Sequence, residues 1–242
     1  FYLGIEMAMD KGWHTYWQNP GDSGGAFDVI WESPEGFIIE NVSWPTPELI
    51  PYPPLMTYGY EDYVLFPFQV FRAANSSLGV IEATINFLIC ADICVPESAS
   101  IEIDLSTEQP SSLIADGIKS VPNTVMPVSL DANNQNLNLG FAFDGTINDA
   151  YFFTDNQGDI KHSASQKLRR LGGNNYELIL EQASLTPNQL SGILKINDSG
   201  FIVMPTAVDV STTNSFSINL FQALLFAFIG GLILNLMPCV FP

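Results

Sequence analysis

The sequence predicts a mainly β chain in which two successive β-sandwiches are followed by a transmembrane α-helix. Three observations lead there. Short runs of β-branched and aromatic residues, bounded by Gly, Pro, Asn or Asp, recur over residues 1 to about 215. A proline-containing break interrupts them at 108–127, and an uncharged apolar run closes the given sequence. The chain has 242 residues, 47% hydrophobic and 14% charged, which leaves room for a sizeable core and excludes disorder as a whole-chain description.

The first sandwich is assigned to residues 1–107, with strands expected at 2–9, 27–31, 37–42, 63–71, 80–89 and 100–105. Between them, 10–25 and 44–62 read as long connections, because Gly, Pro, Asn and Asp dominate their punctuation. Residues 108–127 form a linker with three prolines and a short helix around 113–120. The second sandwich, 128–210, carries expected strands at 138–143, 150–155, 175–182, 192–197 and 200–203. Both sandwiches are expected to be immunoglobulin-like, and no heptad or solenoid period appears.

Residues 216–242 are assigned to a membrane helix. Its apolar stretch from Leu220 to Val240 is uncharged, and Gln222 and Asn235 are its strongly polar members. At about 1.5 Å per residue this length crosses a bilayer core. No Lys or Arg lies between Lys195 and the helix, so residues 1 to about 215 are expected outside the cytoplasm, an oxidising setting in which cysteines pair. Phe1 opens directly in strand-like sequence and the apolar run ends the chain, so a processed or truncated fragment is expected.

Charge excludes one class of function. With 8 Lys+Arg against 26 Asp+Glu, the formal net charge is -18, and such a surface repels phosphate backbones. Neither a Gly-rich phosphate loop nor a hydrolase arrangement around His14 and the nearby aspartates is present.

The chemistry that remains is that of sulfur. Cys90 and Cys94 flank Ala91-Asp92-Ile93, and Val95-Pro96 follows, so the pair is expected in a turn after the strand ending at Ile89. Two readings stay open on spacing: a structural clip, or a redox pair, since so small a ring gains little entropy on closing compared with about 3 kcal/mol for a 15-residue loop. Metal binding is the weaker alternative, because no second Cys pair or His-rich segment completes a tetrahedral site. Cys239 reads either as a buried small hydrophobe or as a thiol in an electron relay. Asp92 and Glu97 flank the pair and read as solvated surface. Trp13 and Trp17 read as core, whereas Tyr58 and Tyr60 follow the proline-rich 45–54 stretch and are candidates for covering the cysteines.

The ending Leu234-Asn235-Leu236-Met237-Pro238-Cys239-Val240-Phe241-Pro242 resembles the first membrane helix of the DsbD-type protein-disulfide reductases. Several upstream segments are similar to the exported domain of the ScsB-like branch. They are Gly12-Trp13-His14-Thr15-Tyr16-Trp17, Asn19-Pro20-Gly21-Asp22-Ser23-Gly24, Trp44-Pro45, Thr57-Tyr58-Gly59-Tyr60-Glu61 and Cys90 to Glu97. The second sandwich is matched loosely, through Tyr151-Phe152-Phe153 and Leu190-Ser191-Gly192. The resemblance implies a bacterial inner-membrane protein-disulfide reductase with its first part in the periplasm. Cytoplasmic thioredoxin would feed a membrane cysteine pair that includes Cys239. Cys90 and Cys94 would then pass electrons to periplasmic thioredoxin-fold clients, with Cys94 preferred as the attacking thiolate. It further implies a surround formed by Tyr58, Gly59, Tyr60, Asp92, Pro96 and Glu97, with Tyr58 in a cap over the pair. The cysteines carry the electrons, so no dissociable cofactor, metal or nucleic acid is implied. The family's processes include cytochrome c biogenesis and copper tolerance. The spacing of the pair is narrower here than in DsbD, and Leu55 and Met56 replace the acidic residues before the cap. The competing class is a non-catalytic immunoglobulin-like binding module, held by a structural disulfide, that recruits partners to the membrane domain.

Overall fold

Alternation of apolar and polar residues builds about half of the strands of the computed structural model, which describes residues 1–107, 111–133, 135–183 and 187–210. The first part contains β1 (Tyr2–Ala8), β2 (His14–Gly21), β3 (Asp28–Glu32), β4 (Phe37–Val42), β5 (Glu48–Tyr52), β6 (Leu55–Glu61), β7 (Tyr63–Arg72), β8 (Val80–Cys90) and β9 (Cys94–Asp104). A helix, α1 (Ser112–Ser120), follows, its first turn capped by the Ser111 hydroxyl, which accepts from the Leu113 N–H. Then come β10 (Val128–Asn133), β11 (Asn136–Ala142), β12 (Ala150–Thr154), β13 (Lys167–Gly172), β14 (Asn175–Glu181), β15 (Gln189–Ile196), β16 (Ser199–Ala207) and β17 (Asp209–Val210). The expected membrane helix at 216–242, with Cys239, lies outside the described residues. Among the described residues no helix is long and apolar enough to cross a membrane.

Two sheets face each other in the first part: β1-β7-β4, and β3-β8-β2-β6-β5 with β9 added along β8. Ile5, Met7, Val64, Phe66 and Phe68 from one sheet meet Trp17, Tyr58, Ala83 and Ile85 from the other in a single core. The second part pairs a β13-β14-β11-β10-β17 sheet with β12-β15-β16 around Leu130, Leu137, Leu139, Phe152, Leu178, Leu180 and Leu194. All of these pairings are antiparallel except β10 with β17.

β12 is buried along its whole length because it serves both cores. Phe152 enters the second core, while Tyr151 and Phe153, pointing the other way, enter the first. Residues Phe1–Val210 accordingly form one compact unit.

The stretches expected as long connections contain strands. Residues 10–25 hold β2 and residues 44–62 hold β5 and β6. Their Gly and Pro residues hide the alternation, and cross-strand pairing overrides them. Pro51 is tolerated because β5 is the edge of its sheet. β9 likewise begins at Cys94 rather than at residue 100. It lies on one side of β8 with no other partner among the described strands, so Pro96 costs no ladder bond. β13 escaped the sequence pattern for another reason: it is an exposed edge strand with no buried face and carries Lys167, Arg169 and Arg170.

Phe153 packs edge-on against Trp17 and Tyr58, so Phe153→Ala should cost about 3–5 kcal/mol. Both parts should lose stability together, seen as coincident near- and far-ultraviolet circular dichroism transitions. Separate transitions would show that β12 does not tie the two cores.

Candidate active site

Cys90 ends β8 and Cys94 begins β9, so the two are direct partners across a hairpin whose loop is residues 91–93. The Ala91 N–H donates to the Ile93 carbonyl at 3.0 Å and closes that loop. The cysteine Cα atoms lie 4.1 Å apart and the sulfurs are joined in a disulfide. The two sulfurs are not equivalent. Cys90 is 1% exposed, whereas Cys94 is open to solvent at the sheet edge.

Register places further side chains around the pair. Glu61 of β6 is opposite His14 of β2, His14 is opposite Cys90, and Cys90 is opposite Cys94. Residues directly paired across a sheet share a face, so these four form one row over four strands. Two residues along β2 the next row holds Tyr16, paired with Gly59. The Tyr16 hydroxyl reaches the sulfurs. It lies 2.7 Å from Cys90 Sγ and 3.6 Å from Cys94 Sγ, and because disulfide sulfurs carry no proton, the phenol donates.

Two glycines let the backbone close around this phenol. A Cβ on Gly59 would stand 2.0 Å from the Thr15 carbonyl oxygen, so β6 approaches β2 only without a side chain there. Gly24, at φ +103°, presses its backbone on the Tyr16 ring, where a Cβ would lie 2.0 Å from Cε1. Along the same strand the Thr15 hydroxyl donates to the Leu88 carbonyl, holding β2 against β8.

Burial pushes the Tyr16 phenol up, so at neutral pH it is a donor that keeps its proton. The His14 ring stands edge-on to Tyr16, centroids 5.2 Å apart. Burial pushes its imidazole down, so His14 is neutral at pH 7.

The sequence-derived surround is only partly assembled here. Asp92 sits exposed in the hairpin loop, Pro96 lies opposite Leu88, and Glu97, also exposed, lies opposite Phe87. Tyr58 and Tyr60, expected in a cap over the pair, are core residues of β6. The Tyr58 hydroxyl is 3.0 Å from Tyr151 Oη and 3.0 Å from His162 Nδ1, while Tyr60 donates to the Pro45 carbonyl. The reason is the period of the strand: Tyr58 and Tyr60 face the core, and Gly59 between them faces Tyr16. The tyrosine on the sulfurs is therefore Tyr16, which sequence reasoning missed. Its only sequence signal is its i, i+2 relation to His14, and that signal gains meaning once β2 is known to lie beside Cys90.

Residues 1–105 match the family described as thiol:disulfide interchange protein DsbD, N-terminal. This region is a DsbD-type amino-terminal domain. The cysteine hairpin thus belongs to a thiol–disulfide exchange component, and it holds the disulfide-forming pair of that component. No curated protein matches the chain. Among solved structures it is similar to the N-terminal periplasmic domain of ScsB from Proteus mirabilis, with a TM-score of 0.69 and 20% identity over 86% of this chain and 87% of that one. That likeness, at such identity, is one of fold. It extends beyond residue 105 and so takes in the fold of both parts of the described chain.

His14 makes the site sensitive to acid. Its ordinary pKa is 6.5 and its folded value is lower, so the unfolded chain takes up the proton first as pH falls. The stability it contributes is complete above that ordinary value and is lost as pH falls through it towards the folded value. Melting temperatures measured between about pH 8 and pH 5 should fall over this window, and His14→Gln should remove part of the fall. An identical slope in the variant would exclude His14 as a source.

Proposed function

We propose that the hairpin is the exchange site of a periplasmic protein-disulfide reductase, with Cys94 as the sulfur that meets other proteins. The observation that carries this reading is the unequal setting of the two sulfurs: Cys94 exposed, Cys90 buried with a phenol donating to it. When the pair is reduced, the Cys94 thiolate attacks a client disulfide. The client S–S bond breaks, one client sulfur leaves and takes a proton, and a mixed disulfide forms on Cys94. The Cys90 thiolate then attacks Cys94 Sγ. The mixed disulfide breaks, the second client sulfur leaves and is protonated, and the Cys90–Cys94 bond re-forms. Two electrons and two protons have passed to the client.

Recharging runs the same path backwards. A donor thiolate attacks Cys94 Sγ and expels Cys90, and the Tyr16 hydroxyl stabilises the departing thiolate. The donor is a membrane cysteine pair that includes Cys239 and is fed by cytoplasmic thioredoxin. The chain is anchored in the inner membrane with residues 1 to about 215 in the periplasm, and its clients there are thioredoxin-fold oxidoreductases. Asp92, Pro96 and Glu97 form the rim they touch. The cysteines themselves carry the electrons, so the cycle uses no dissociable cofactor.

Equilibration of the chain against glutathione, followed by mass analysis of the alkylated Cys90–Cys94 segment, should give a potential of roughly -250 to -120 mV. A value below about -300 mV would mark a structural bridge and favour the binding-module reading. Cys90→Ala should accumulate a mixed disulfide with a client through Cys94, and Cys94→Ala should accumulate none. The reverse pattern would make Cys90 the attacking sulfur.

A further inference from the structure

β2 leaves its partner β6 immediately after Tyr16. The pairs run Tyr16↔Gly59 and then Gly21↔Thr57, so four residues of β2, 17–20, stand against Tyr58 alone. The extra residues form a bulge, and it is aimed at the second part of the molecule. Trp17, fully buried, meets Phe153. Gln18 Nε2 donates to Asp155 Oδ1 at 2.7 Å. Asn19 is 2% exposed and uses both ends of its amide. Its Nδ2 donates to the Thr154 carbonyl of β12 at 2.7 Å, and its Oδ1 accepts from the Gly21 N–H at 3.0 Å.

The second of those bonds returns the chain to the sheet and launches the loop that lies on Tyr16. After Gly21, the Asp22 N–H donates to the Met56 carbonyl, and the Met56 N–H donates to Asp22 Oδ2. Gly24 then rests on the Tyr16 ring. Tyr16 is thus gripped from two directions: by the pairing of His14 and Thr15 with β8, and by a bulge and loop whose anchor is β12.

We propose that Asn19 is a positioning residue for the redox pair: by fastening the β2 bulge to β12, it sets the Tyr16 hydroxyl on Cys90. The inference rests on the exchange reading above and gives the second part of the chain a task in it. That part contributes no cysteine, but its β12 anchors the bulge from which the loop lying on the phenol is launched. The side chain matters through its two hydrogen bonds and touches neither sulfur nor client.

The test is the equilibrium of the pair with glutathione, measured on the full chain. Tyr16→Phe should make the pair harder to reduce by about tenfold in equilibrium constant, the scale of one hydrogen bond to a charged group. Asn19→Ala should shift it in the same direction, roughly threefold, by loosening that bond. The deciding readout is the double variant: in the Tyr16→Phe background, Asn19→Ala should add nothing. Phe153→Leu, which loosens the seat of Trp17 from the other side, should behave like Asn19→Ala and covers the case in which that variant fails to fold. An equal shift with and without the Tyr16 hydroxyl, or folded variants with an unchanged equilibrium, would overturn the positioning role while leaving exchange intact. Failure of the unaltered pair to equilibrate would overturn both.

Discussion

The pairing of His14 with Cys90 is the contact on which the site depends. It joins β2 to the end of β8 and so sets two strands distant in sequence side by side at the disulfide. Because a sheet repeats every two residues, fixing that one pair also fixes where Tyr16 points. A slip of one residue would turn Tyr16 into the core and bring Thr15 or Trp17 to the sulfurs. The core opposes such a slip, because Trp17 is completely buried in it and Thr15 bonds the Leu88 carbonyl. Core packing and site geometry are consequently the same constraint, expressed on the two faces of one strand.

Much of the scaffold was legible from short β-branched and aromatic runs bounded by turn residues. The strands at 37–42, 63–71 and 80–89 and the short helix near 113–120 appear within a residue or so of their expected places. The cysteine pair was legible because both partners lie in one short segment. Tyr16 was not, because what identifies it is a contact with a sulfur 74 residues away. The sequence around it, with Gly12, Pro20, Gly21 and Gly24, carries strong loop signals, and only pairing with β6 and β8 makes it a strand. Tyr58 failed in the opposite sense: a tyrosine near prolines reads as a surface aromatic, but the alternation of β6 sends it inward to Tyr151 and His162.

The same alternation explains how the two parts of the molecule are joined. Tyr151-Phe152-Phe153 is a run of three large aromatics with no polar position, which in a half-buried strand would leave at least one ring in water. β12 resolves this by being buried on both faces. The hydroxyls brought in with the rings are paired: Tyr151 Oη donates to the His162 carbonyl and approaches Tyr58 Oη. Burial raises both phenols, so they remain neutral in that interior. The seam combines apolar contact with paired hydroxyls, which fix its geometry more sharply than apolar contact alone. The buried Trp17 Nε1–H in the same core has no hydrogen-bond partner among the described residues.

The disulfide adds little to the fold that encloses it. β8 and β9 are already aligned over eleven consecutive pairs, from Val80↔Asp104 to Cys90↔Cys94. A cross-link at the tip of a hairpin closes a loop of a few residues, the case in which chain entropy contributes least. The bond can therefore open without releasing either strand. Cys90 Sγ is buried with the Tyr16 hydroxyl as its donor, a setting suited to a sulfur that carries charge when it is expelled. The Tyr16 hydroxyl already rests on Cys90 Sγ while the disulfide is closed, so the donor proposed for the departing thiolate is in place before the bond opens. A bond that the fold does not need, in a setting that tolerates its absence, is suited to repeated breaking and re-forming.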